Sequence, residues 1–252
     1  MVEVISNGSF QALFPNTLQD LFLSENKITS IDFIFRNNSF SQNCMIFSRL
    51  RALRLANNKL TYIKSNSLEC LTRLEELHLQ NNEIVLIDAD AFQNFPRLGT
   101  LFLQFNLLRN LDFLKQCNAP LFRLTVNKNL LNNKELSKVF ENLKTLNNLE
   151  MSSNNLTFID DETFKGLTSL THMDLTNNNL KNITINSFSH SSRLRSLFLE
   201  NNFIAEINPQ FFKKNLFLSF LSFKNNSIRY IRNGDFLYLS SLSSLDLSYN
   251  NI

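Results

Sequence analysis

The chain has 252 residues, a formal charge of +3, and 25 Phe beside no Trp, four Gly and four Pro. Its Lys and Arg are scattered, which gives no electrostatic footprint for nucleic acid. No run of about 18 apolar residues is present to span a membrane, and MVEVISNGSF carries neither the basic n-region nor the apolar h-region of a signal peptide.

A globular enzyme of this size uses more glycine where positive φ is needed. Asparagine tolerates turn geometry and bonds backbone groups through its amide, so it is the residue left to punctuate this fold. In chain order the first recurring unit is LQDLFLSENKI at 18, followed by LRALRLANNKL at 50, LEELHLQNNEI at 74, LGTLFLQFNLL at 98 and LFRLTVNKNLL at 121. LNNLEMSSNNL at 146, LTHMDLTNNNL at 170, LRSLFLENNFI at 194, LSFLSFKNNSI at 218 and LSSLDLSYNNI at 242 complete ten copies, at steps of 32, 24, 24, 23, 25, 24, 24, 24 and 24. A period this regular is the signature of a repeat architecture.

Numbering each unit from its first Leu, positions 4 and 6 alternate with polar residues, which predicts a short strand with one buried and one solvated face. Position 9 is Asn in every copy: Asn26, Asn58, Asn82, Asn106, Asn129, Asn154, Asn178, Asn202, Asn226 and Asn250. Stacked amides, each with donors and an acceptor, can satisfy backbone groups that leave the strand ladder, so this column is expected to be fully bonded. Position 19 is Phe92, Phe164, Phe188, Phe212 and Phe236, with Leu68 in the second unit, and these side chains are expected in the core.

The LxxLxLxxNxL units with their I, F and L anchors resemble the leucine-rich repeat family in its 24-residue extracellular form, as in Toll-like receptor, chaoptin and Slit-type ectodomains. The resemblance implies an α/β repeat fold: a curved horseshoe solenoid with a concave parallel β-sheet and a mostly irregular convex side. Residues 1–252 then form a single domain of about ten repeats plus a partial N-terminal one. Val2, Ile5, Phe10 and Leu13 fit the end of an earlier repeat and Ile252 falls at position 11, so a piece of a longer protein is expected. The resemblance also implies a receptor-like part in innate immunity or cell-surface signalling, with a protein ligand or co-receptor as partner; the scattered charge and the lack of a long apolar run separately predict no nucleic-acid partner and no membrane contact by this segment.

Two stretches depart from the rhythm. DFIFRNNSFSQNCMIFSR after Ile31 adds eight residues, and NNKELSKVFENLKT reads as an amphipathic helix over 135–144 with Leu136, Val139, Phe140 and Leu143 inward. Cys44, Cys70 and Cys117 lack zinc spacing. Cys44 falls at position 19 and Cys70 at position 21 of adjacent repeats, compatible with either a bridge or buried free thiols. Sequons at Asn7, Asn37, Asn155, Asn182 and Asn225 are candidate glycan acceptors.

No glycine-rich phosphate loop, GxSxG or HExxH is present, so the chain reads as non-catalytic, with no cofactor or metal. Function is expected on the concave face, where positions 2, 3, 5, 7 and 8 vary within a constant scaffold. The candidate ligand-binding residues are the aromatic group Phe102, Phe105 and Phe122 with His78 and Arg123, and an acidic zone of Glu150, Asp174 and His172 suited to a basic partner. The alternatives are a self-associating adhesive repeat protein outside the cell and a cytosolic scaffold.

Overall fold

The computed structural model describes residues 17–32, 44, 47–65, 67–133, 136 and 138–252. Ten parallel three-residue strands, one per repeat, stack in chain order into a single sheet. They are Asp20–Phe22, Ala52–Arg54, Glu76–His78, Thr100–Phe102, Arg123–Thr125, Asn148–Glu150, His172–Asp174, Ser196–Phe198, Phe220–Ser222 and Ser244–Asp246. Each residue pairs with the same repeat position on the next strand, so Leu77 lies between Leu53 and Leu101. That register stacks every position-4 side chain in one buried row, from Leu53 to Leu221. Parallel strands need a connection that wraps a core before returning, and the rest of each 24-residue unit provides it.

The asparagine column is bonded as expected, with one pattern repeated along the coil. Asn154 Nδ2 donates to Met151 O and to Val126 O of the preceding repeat, both at 3.0 Å, and its Oδ1 accepts from Leu131 N at 3.0 Å. Asn82 and Asn106, in adjacent repeats, make the same three bonds, and both donate to Leu79 O. Eight of these asparagines, Asn58 to Asn226, are buried. The left-handed residue of the turn is their neighbour at position 8, with φ between 50° and 60° in all ten repeats. Only Asn57, Asn81, Asn177, Asn201 and Asn225 supply the residue best suited to it.

A phenylalanine spine runs along the opposite side of the core. Phe140, Phe164, Phe188 and Phe212 stack with centroids 5.9, 6.4 and 6.1 Å apart, the last two pairs nearly parallel at 14° and 9°. In the irregular repeats at 98 and 121 the buried Phe113 and Phe140 take over this role, Phe113 meeting Phe92 at 5.2 Å. Phe236 is partly buried against the same core. Little else on the convex side is regular: two pairs of two-residue strands (Tyr62–Ile63 with Leu86–Ile87, Phe158–Ile159 with Asn182–Ile183) and 3-10 turns at Asp112–Leu114 and Pro209–Phe212.

The helix expected over 135–144 is not formed by the described residues there. Leu136 N bonds Asn133 O, Val139 N bonds Leu136 O and Leu143 N bonds Phe140 O, a chain of i→i−3 turns interrupted by Lys138 at φ 62°. Leu136, Val139, Phe140 and Leu143 are nonetheless all buried. A succession of tight turns buries the same i, i+3, i+4 set as an amphipathic helix.

Cys44 and Cys70 form a disulfide with their Cα atoms 4.5 Å apart, tying adjacent repeats together. Cys117 is a buried free thiol whose pKa burial pushes up. On the convex flank Asp88 is drawn up by burial, but hydrogen bonds from the Tyr62 hydroxyl and from the Ser65 amide and hydroxyl outweigh this and hold its pKa low. No helix among the described residues is long and apolar enough to cross a membrane. The expected features at Val2 to Leu13, most of the insertion after Ile31, and the sequons at Asn7 and Asn37 lie outside the described residues.

Candidate functional site

The concave face is set by strand parity. Position 4 points into the core, so positions 3 and 5 point out, and parallel register brings like positions of adjacent repeats side by side. Along the first six repeats this produces a continuous row of side chains. Arg54 lies over the Phe22 ring at 4.8 Å and reaches Glu76 at 3.5 Å. Glu76 hydrogen-bonds His78 at 3.3 Å, and the His78 ring packs on Phe102 with centroids 4.5 Å apart. Arg123 then covers the other side of this group, 5.6 Å from the Phe102 centroid, and pairs with Glu150 at 2.9 Å. Burial pushes the His78 pKa down, against the opposing pull of its hydrogen bond to the Glu76 carboxylate.

His78, Phe102 and Arg123 therefore lie side by side, and Glu150, which the sequence places in the acidic zone, pairs with Arg123. Phe105 stands at the turn edge of the same repeat, 47% exposed, under the Lys128 ammonium at 4.7 Å. Phe122 is not part of the ring group. It makes no ring contact with Phe102 and lies instead over Gly99, where a Cβ would meet its Cε1 at 2.7 Å. At position 2, Phe122 precedes the strand Arg123–Thr125 and is 54% exposed. Several residues differ from the solvent-facing expectation: Ala52 and Thr100 at position 3 and Ala56 at position 7 are buried, and at position 5 so are the short Thr125 and Ser222. Each short side chain is flanked in register by longer ones, Phe102 and Glu150 or Phe198 and Asp246.

The acidic zone adjoins this row at Glu150 and is a depression of about 490 Å³ bounded by Glu150, His172, Asp174, Glu200, Phe198 and Lys224. Phe198 forms its apolar wall, packed between His172 at 5.0 Å and Phe220 at 4.8 Å. Thr176 braces two of the carboxylates, its amide donating to Asp174 at 2.9 Å and its hydroxyl to Glu200 at 2.8 Å. His78 and His172 pack on different phenylalanines, four repeats apart, and do not share a site. Among the described residues no three His, Cys, Asp or Glu side chains converge as metal ligands. The residues the sequence reading passed over are the lysines Lys128 and Lys224. Each lies beside an aromatic residue of a neighbouring repeat, a relation visible only once the repeats are aligned side by side.

The Leucine rich repeat family profile matches residues 48–112, 144–204 and 192–252. The chain belongs to the leucine-rich repeat family. No curated protein sequence matches it. Among solved structures it is similar to TLR13 in a TLR13–ssRNA13 complex, with a TM-score of 0.73 at 21% identity over 99% of this chain and 39% of that one. It is similar to a Leptospira interrogans LRR protein, with a TM-score of 0.75 at 23% identity over 93% of this chain and 62% of that one. It is also similar to a chain of the Drosophila Toll–Spatzle complex, with a TM-score of 0.73 at 22% identity over 99% of this chain and 35% of that one. The chain thus spans between about a third and two thirds of these chains. The shared property is the leucine-rich repeat solenoid, a protein-interaction fold.

Proposed function

We propose that this leucine-rich repeat solenoid is a non-catalytic recognition module, part of a cell-surface or secreted receptor-like protein, that binds a protein ligand or co-receptor on its concave face. The observation that carries the reading is the row from Phe22 to Glu150, in which rings and charges are held by one another while remaining at the surface. Aromatic and arginine side chains preassembled in this way are the composition of a binding hot spot. An extracellular place is supported by the Cys44–Cys70 disulfide, a linkage that persists in oxidising compartments. Asn155 and Asn182 add to this, since both are exposed and neither side chain is hydrogen-bonded among the described residues. Asn225 is also exposed, but its amide is engaged by Asn201 at 2.7 Å.

The test is a binding screen of the chain against a panel of secreted and cell-surface proteins, repeated with Phe102→Ala/Arg123→Ala. Interactions lost in the variant, with its sedimentation unchanged, support the reading; interactions that all survive it contradict it. A second reading is self-association, favoured by Leu216, Phe217 and Leu237, which are exposed at 50%, 56% and 71% away from the concave strands. Concentration-dependent sedimentation abolished by Phe217→Ser/Leu237→Ser would single it out. Mass spectrometry after secretory expression tests the location: glycans at Asn155 and Asn182 agree with it, and unmodified amides at both favour a cytosolic scaffold.

A further inference from the structure

Position 8 imposes a backbone conformation that asparagine or glycine meets at low cost and that a bulky ring does not. In the interior of the sheet only one repeat places an aromatic residue there, Phe105 at φ 58°. The solenoid gains little from it. Its ring is 47% exposed, and the same position in the flanking repeats holds Asn81 and Lys128. Tyr249 is a parallel case beside Lys224 in the last repeat, but Phe105 has a full repeat on either side. A strained residue whose side chain is held at the surface points to function.

Its surroundings define what it fits. Leu107, 43% exposed, follows on the same turn, and the Lys128 ammonium sits 4.7 Å from the Phe105 ring. Neither Lys128 nor the exposed Arg109, further along that turn, has a carboxylate partner among the described residues, whereas Arg123 is already paired with Glu150. Lys128 against the exposed Phe105 ring, and Arg109 four residues along the chain from Phe105, are two cations without a carboxylate partner among the described residues, and they match one apolar anchor flanked by one or two carboxylates. They are too few for the phosphate row of a nucleic acid.

We propose that Phe105, Leu107 and Lys128 form a rim subsite that takes an apolar side chain flanked by Asp or Glu, from an acidic segment of a protein partner. The inference rests on the concave-face recognition reading and extends that face over the edge of the sheet at the fourth repeat. It assigns opposite preferences to two zones: an acidic segment here, a basic one at the Glu150–Asp174 depression.

The experiment uses two synthetic twelve-residue peptides with one central Phe, flanked by Glu or by Lys, and a single-stranded oligothymidylate of matching charge. Binding is read by fluorescence anisotropy at physiological salt, and the melting temperature of each protein variant is measured alongside. The Glu peptide is expected to bind at least about tenfold more tightly than the oligothymidylate, and Phe105→Asn to weaken it by about tenfold, as loss of a hot-spot aromatic does. Lys128→Glu is expected to abolish binding of the Glu peptide. Phe105→Asn is also expected to raise the melting temperature by about 2 °C through relief of backbone strain, which a merely structural aromatic would not do. Absence of Glu-peptide binding, oligothymidylate binding as tightly, or a lower melting temperature for Phe105→Asn each overturns the proposal. If the peptide fails while partners found in the panel screen still depend on Phe102 and Arg123, the rim subsite falls and concave-face recognition stands.

Discussion

Two neighbouring residues of the same turn behave in opposite ways. Position 9 is Asn in all ten repeats, buried in the interior ones, and its amide closes hydrogen bonds on two successive turns of the coil. Position 8 is Glu, Asn, Phe, Lys, Ser or Tyr at nearly constant φ, and its side chain points outward. The difference shows how this fold separates stability from recognition. Groups shared between neighbouring repeats admit one residue type, because changing one orphans partners in two repeats. Groups that face water are held to a conformation but not to a chemistry.

Substitutions among the groups shared between repeats have the largest expected effect on stability. Phe188 is stacked between Phe164 and Phe212 and fully buried, so Phe188→Ala is expected to cost about 3–5 kcal/mol, measured by urea unfolding. Asn154→Ala leaves Val126 O, Met151 O and Leu131 N without their amide partner, and a loss of about 2–4 kcal/mol is expected in the same assay. A cost under about 1 kcal/mol would mean that water replaces the amide and that the column is not the constraint argued here.

The Asp88 pKa lies below its unfolded value of 3.8, so its contribution is present above that value and is lost as pH falls through the lower folded value. The His78 pKa lies below 6.5, so the contribution of its neutral form is complete above that value and declines as pH drops beneath it. Thermal melting should therefore show a decline below pH 6.5 that His78→Gln removes, and a separate decline below pH 3.8 that Asp88→Asn removes. Persistence of the first decline in His78→Gln would place its origin elsewhere.

What the sequence discloses follows the same division. The strand positions, the asparagine column and most of the phenylalanine spine are legible because they repeat, and a period of 24 makes each copy confirm the others. Phe113 and Phe140 are less so, since they reach the spine from positions 16 and 20 of irregular repeats. The turns near Lys138 are read as a helix because both structures bury residues three and four apart. In the candidate site, where the Arg123–Glu150 pair joins two zones that the sequence alone keeps apart, His78, Phe102 and Arg123 follow from strand parity. Phe122 does not, because its place is decided by a missing Cβ at Gly99 on the neighbouring repeat. The cationic partners of exposed rings are likewise contacts between repeats, which a reading along the chain does not bring together.

The smallest stability effect is expected where the functional effect is largest. Arg123 and Glu150 form a partly exposed pair, 43% and 22% accessible, and truncating a pair of this kind costs about 0–1 kcal/mol. The most direct measurement is therefore the affinity of Phe102→Ala/Arg123→Ala for a partner identified in the panel screen, made with its unfolding free energy. The account predicts a loss of at least about a hundredfold in affinity, as for hot-spot residues, with folding stability nearly unchanged. Undiminished affinity in a folded variant would contradict it, and would move recognition off the concave face.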